Sequence, residues 1–184
     1  MASTRTRTRR MPARAGADRP SMPGKDAIAL LKEDHQKVRK LLGELEATSD
    51  RGAGKREKLL AEIEHELKVH TRIEEDIFYP AFREAAERKD DTKLYFEALE
   101  EHHVVDMVLP EIKSAGPESD QFAAKAKVLK DLVEHHAEEE ETEMFPRARK
   151  LMDREELVQL GEQLAEAKER LGSGPLGMLR RMVS

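Results

Sequence analysis

The sequence predicts an all-α fold: an antiparallel up-down four-helix bundle with an additional C-terminal helix and a disordered N-terminal tail. Three observations carry this. Charged residues make up 39% of the 184-residue chain and aromatics 4%, with a mean hydropathy of −0.74. So polar a chain folds by concentrating its apolar residues on one face of each helix. No run alternates as a strand does, and the breakers fall at intervals suited to long helices.

The elements follow in order. Residues 1–24 carry Arg5, Arg7, Arg9, Arg10, Arg14 and Arg19 against Asp18, a net +5, with Pro12, Pro20 and Pro23. They hold almost nothing apolar and read as a disordered basic tail. Helices are expected near 26–48, 55–88, 92–113 and 119–151, with a fifth amphipathic segment over 153–171. Ser49-Asp50-Arg51-Gly52-Ala53-Gly54 is a loop, and Lys89-Asp90-Asp91-Thr92 a polar turn. Ser114-Ala115-Gly116-Pro117 is a third break, after which Ser119 or Asp120 can cap the next helix. Gly172-Ser173-Gly174-Pro175 stops the last helix. Short connections between long helices make antiparallel neighbours. The chain thus divides into a tail (1–24), a bundle (25–151) and a C-terminal helix and tail (152–184).

Composition excludes several classes. The absence of cysteine removes disulfides, thiolate zinc sites, iron–sulfur clusters and cysteine nucleophiles. Residues 25–184 carry 27 basic and 37 acidic side chains, a net −10, so nucleic acid is not an expected partner. No run approaches about 18 apolar residues, so no membrane partner is expected either. A cytoplasmic monomer or weak homodimer is the expectation.

The chain also repeats internally. His70, Glu74-Glu75 and Phe78-Tyr79-Pro80 reappear 66 residues later as His136, Glu140-Glu141 and Met144-Phe145-Pro146. Asp34-His35, Val38, Leu42 and Leu45 match Glu101-His102, Val105, Leu109 and Ile112 at an offset of 67. Two copies of a helix pair would build a pseudo-twofold bundle in which equivalent side chains converge.

The polar residues on the apolar stripes carry the functional argument. At about 100° per residue, one face of helix 2 collects Leu60, Ile63, Leu67, His70, Glu74, Ile77 and Ala81. Helix 4 gives Phe122, Ala126, Leu129, Val133, His136, Glu140 and Met144. His35 and His102 lie on the stripes of helices 1 and 3, whereas His65, His103 and His135 point away. An unpaired carboxylate in a core costs several kcal/mol or takes up a proton. Two inward glutamates with four inward histidines are therefore explained best by a central cation. Imidazoles and carboxylates without sulfur suit first-row divalent ions. Six donors are too many for one tetrahedral zinc; they fit two ions bridged by the carboxylates. Iron leads, with manganese or zinc as alternatives. The competing bundle site uses Glu-x-x-His on two helices. Glu62-His65 and Glu100-His103 have that spacing, but both histidines point outward.

At these residues the chain resembles the hemerythrin-like family of HHE cation-binding domains. The resemblance covers about residues 26–150. It rests on Glu33-Asp34-His35, His70-x3-Glu74-Glu75, Glu101-His102 and His136-x3-Glu140, in that order. It implies a four-helix bundle around two non-haem irons, bridged by carboxylates and an oxo or hydroxo group. His35, His70, Glu74, His102, His136 and Glu140 would be the metal ligands. The small ligand implied is oxygen, nitric oxide or peroxide, in sensing or in oxidative-stress and iron handling. The alternative is an enzyme decomposing hydrogen peroxide or oxidising a small substrate. Two departures stand out. Oxygen-carrying members have a second histidine where Asp106 stands, and their last bridging acid lies five residues after its histidine, where Glu141 stands. The missing imidazole argues against reversible oxygen carriage.

Overall fold

The computed structural model describes residues 24–172. The expected N-terminal tail, apart from Gly24, and the segment Leu176–Met182 lie outside the described residues. The fold is the expected one. Helix α1 spans Ala27–Glu46, α2 Ala53–Ile73, α3 Tyr79–Ala85, α4 Lys89–Ser114, α5 Asp120–Glu139, α6 Phe145–Leu151 and α7 Arg154–Gly172. Among the described residues there is no strand. Helix α1 packs on α2, α5 and α7, and α4 packs on α5.

The helix starts have local causes. The Asp26 carboxylate accepts the Ala29 N–H at 2.8 Å, and the Ser119 hydroxyl accepts the Phe122 N–H at 3.1 Å. Helix α4 begins at Lys89, within the expected polar turn, because Asp91 reaches back over its first turn. One Asp91 oxygen accepts the N–H groups of Glu87 and Arg88 at 3.3 and 3.0 Å. The same carboxylate pairs with Arg147 of α6 at 2.7 and 3.0 Å.

The second and fourth helices are not continuous α-helices. A π-helical turn, Glu74–Phe78, joins α2 to α3, and another, Glu140–Met144, joins α5 to α6. A proline follows each turn closely, and the physical cause is the same. Pro80 and Pro146 have no N–H, and their rings would press on the carbonyl four residues back. The wider turn relieves this, with the Tyr79 N–H bonding Glu74 O and the Phe145 N–H bonding Glu140 O. Each bulge adds one residue to the turn, so the buried face moves on by one. Phe78 and Phe82 are buried where Ile77 and Ala81 were expected, and Phe145 joins Met144 inside.

Two apolar clusters result. One contains Ile28, Leu31, Phe78, Tyr79, Phe82, Phe145 and the inner face of α7. The other contains Val38, Leu42, Ile63, Leu67, Val105, Leu109, Leu129 and Val133. Along every main helix the candidate ligands fall between the two clusters, as a polar layer across the middle of the bundle.

Candidate metal centre

Each of the six candidate ligands is buried, and Glu74 is 0% exposed. One donor atom from each of His35, His70, Glu74, His136 and Glu140 lies within 4.8 Å of the others. His102 joins them: its Nε2 is 3.2 Å from His136 Nε2 and 3.4 Å from Glu74 Oε2. His35 Nε2 is 3.1 Å from Glu140 Oε2, and His70 Nε2 is 3.3 Å from Glu74 Oε2. The rings form two pairs, His35 with His70 at 4.8 Å between centroids and His102 with His136 at 4.7 Å. The outward histidines stay outside this layer: His103 and His135 are exposed and His65 half-buried. Asp106 is exposed, so the position of the missing histidine contributes nothing to the layer.

A carboxylate stands behind every imidazole. His35 Nδ1 is 2.9 Å from Glu141, His102 Nδ1 2.9 Å from Glu75, and His136 Nδ1 2.8 Å from Glu101. His70 Nδ1 faces Asp34 at 3.8 Å. The three close partners set the tautomer of their rings, leaving Nε2 as the inward lone pair. All four carboxylates obey the internal repeat: Asp34 serves His70 as Glu101 serves His136, and Glu141 serves His35 as Glu75 serves His102. The sequence reading missed this shell, although each member sits next to a candidate ligand. A residue beside an inward one lies about 100° round the helix, facing the neighbouring helix.

Tyr79 was missed as well. Its ring stacks on His102 at 5.5 Å, as Phe145 stacks on His35 at 5.8 Å. Tyr79 and Phe145 are mates in the repeat, and the phenol is what breaks the symmetry. Its hydroxyl donates to Glu140 Oε1 at 2.9 Å and lies 3.3 Å from His102 Nε2. Burial and the charges of Glu140 and Glu74 push its pKa well up, so it stays a proton donor.

The electrostatics describe a layer built for positive charge. Burial, with the charge of Glu140, pushes Glu74 well above the usual carboxylate range. Burial also works against Glu140, but the charges of His136, His35 and His70 around it outweigh this and hold its pKa low. Burial lowers His70 to about 4 and, together with His136, lowers His102, so both rings are neutral. His35 Nε2, both His70 nitrogens, both Glu74 oxygens and Glu140 Oε2 are buried without a hydrogen-bond partner. The 3.1 Å approach of His35 to Glu140 lacks hydrogen-bond geometry, as expected of two donors aimed at a common point. A divalent cation satisfies lone pairs of these types, so the residues present fit a metal. Beside the layer is a cavity of about 20 Å³, lined by the four histidines with Val38, Leu67, Val105 and Val133 among its walls.

The fold and this layer define a helical-bundle cation-binding protein. The family model for the hemerythrin HHE cation binding domain matches residues 26–148, and the chain belongs to that family. The chain is 30% identical over 156 residues to an uncharacterized protein of Mycobacterium tuberculosis, covering 84% of this chain and 92% of that one. A crystal structure of a hemerythrin HHE cation binding domain-containing protein from Mycobacterium kansasii superposes with a TM-score of 0.74. It is 30% identical, and the match covers 85% of this chain and 93% of that one. A DNA nickase of a Nostoc species is 28% identical over 156 residues; this chain spans 42% of its length.

Proposed function

We propose that this is a non-haem di-iron protein that binds oxygen, nitric oxide or peroxide, in oxygen or redox sensing or in oxidative-stress and iron handling. His35 and His70 would hold one ion and His102 and His136 the other, with Glu74 and Glu140 between them. The observation that carries the reading is the set of buried, unpartnered donor atoms converging from both halves of the repeat. Bound iron would supply a redox couple and an open coordination position. The protein's own part is to fix three of the four imidazoles from behind, keep the site dry and limit its ligand. A cavity of about 20 Å³ admits a water-sized or diatomic molecule and excludes a bulky substrate.

Tyr79 supports a second reading, an enzyme decomposing peroxide, because its buried hydroxyl carries a proton 2.9 Å from Glu140. The nickase activity is not carried over, since residues 25–184 have a net charge of −10. Metal analysis with optical spectra under air, peroxide and nitric oxide tests the first reading. Two irons per chain and a spectrum that responds to one of these ligands are expected. Sustained peroxide consumption by the iron-loaded protein would favour the enzyme.

A further inference from the structure

The four carboxylates behind the imidazoles are not alike. Glu141, Glu75 and Glu101 lie within 2.9 Å of their histidines. Asp34 stands off His70 at 3.8 Å, and neither Asp34 Oδ2 nor His70 Nδ1 has a hydrogen-bond partner. The other oxygen of Asp34 accepts a hydrogen bond from Lys168 of α7. Glu101, the mate of Asp34 in the repeat, pairs with no lysine or arginine among the described residues and bonds His136 instead.

A cation does not by itself draw a carboxylate off its imidazole. Arg39 donates to Glu141 at 2.7 Å, and the same oxygen still meets His35 at 2.9 Å. The difference lies in where α7 brings its ammonium. Leu157, Leu160 and Leu164 seat α7 in the core, and Gly161 lets its backbone touch the start of α1. Lys168, two turns beyond Gly161, thereby meets the Asp34 oxygen that does not face His70.

We propose that Lys168 is a positioning residue for the metal centre: by occupying Asp34 it leaves His70 as the one imidazole not fixed from behind. The inference rests on the two-ion reading above. An outer carboxylate orients a ligating histidine and strengthens it, and its loss typically weakens metal binding 10–100-fold. The ion at His35 and His70 is then the more readily exchanged, and the fifth helix makes one half of a twofold site labile.

The test follows release of ferrous iron from the anaerobically loaded full chain into an excess of a coloured ferrous chelator. Wild type should release its two ions in separate fast and slow phases. Lys168→Met frees Asp34 to bond His70 and should slow the fast phase about tenfold, leaving the slow phase unchanged. Lys168→Arg should restore wild-type release, and Asp34→Asn should keep a fast phase whichever residue stands at 168. Melting of the apo proteins is measured in parallel. Equal phases in wild type, or a fast phase indifferent to Lys168→Met, would overturn the proposal. So would acceleration of both phases with a lower apo melting temperature, which marks Lys168 as merely structural. A wild type holding fewer than two irons would instead sink the two-ion reading, and the proposal with it.

Discussion

At the scale of single residues, the molecule invests in burying groups that would rather be in water. Glu74 and Glu140 sit at 0% and 2% exposure among apolar neighbours. Without metal, Glu74 must hold a proton and Glu140 must lean on the histidines. Replacing both by Leu should therefore stabilise the apo protein by roughly 1–4 kcal/mol while abolishing metal binding. Thermal melts of the two apo proteins decide this, and an apo double variant no more stable than apo wild type would count against a buried pair. Tyr79→Phe removes only the hydroxyl that donates to Glu140 and makes position 79 like its mate Phe145. Apo stability should fall by roughly 1–3 kcal/mol with the fold retained, as measured by chemical denaturation. The inward placement of His35, His70, Glu74, His102, His136 and Glu140 was legible in the sequence, because a charged or polar residue on an apolar stripe is conspicuous. The outer carboxylates and Tyr79 were not. An acid on a helix flank looks solvated until the neighbouring helix is in place, and a tyrosine on a stripe looks like core.

At the scale of elements, the boundaries of α1 and α7 and the start of α5 could be read to within one or two residues, since caps and glycines mark them. The π turns could not. Counting at about 100° per residue assumes an unbroken α-helix, and the bulges begin at Glu74 and Glu140, the last positions where that count holds. The prolines at 80 and 146 were the available signal. Asp91 was read as part of a turn, yet it is 2% exposed and ties the start of α4 to α6. The hydrogen bonds from Arg147 lower its pKa to about 2. A depressed carboxylate stabilises the fold fully above its unfolded pKa and stops doing so as pH falls through the folded one. Asp91→Asn should therefore cost roughly 1–3 kcal/mol at neutral pH. That difference from wild type should shrink below about pH 4 and vanish near pH 2. Denaturant melts across this range check it; a difference independent of pH would mean that the Arg147 pair contributes nothing.

At the scale of the whole molecule, the bundle is a pseudo-twofold structure with one-sided additions. Tyr79 marks the half with His102 and His136, and α7 with Lys168 marks the half with His35 and His70. That a fifth helix exists was legible from its amphipathic pattern; where it docks was not, because docking depends on one close backbone approach. A Cβ at Gly161 would lie 2.2 Å from Lys25 O and 2.9 Å from Ala27 N. Gly161→Ala should push α7 off the start of α1 and cost roughly 1–3 kcal/mol, which calorimetry of the full chain can measure. An unchanged melting temperature would mean that α7 is held by its leucines alone.

The central claim is that the polar layer between the two apolar clusters is a site for two metal ions. Elemental analysis of a panel of histidine variants, each loaded with iron under the same conditions, tests it most directly. Wild type and the outward controls His65→Ala, His103→Ala and His135→Ala should each carry two irons per chain, while His70→Ala and His136→Ala fall well below that. Two irons retained in both His70→Ala and His136→Ala, or lost from the outward controls, would contradict the account.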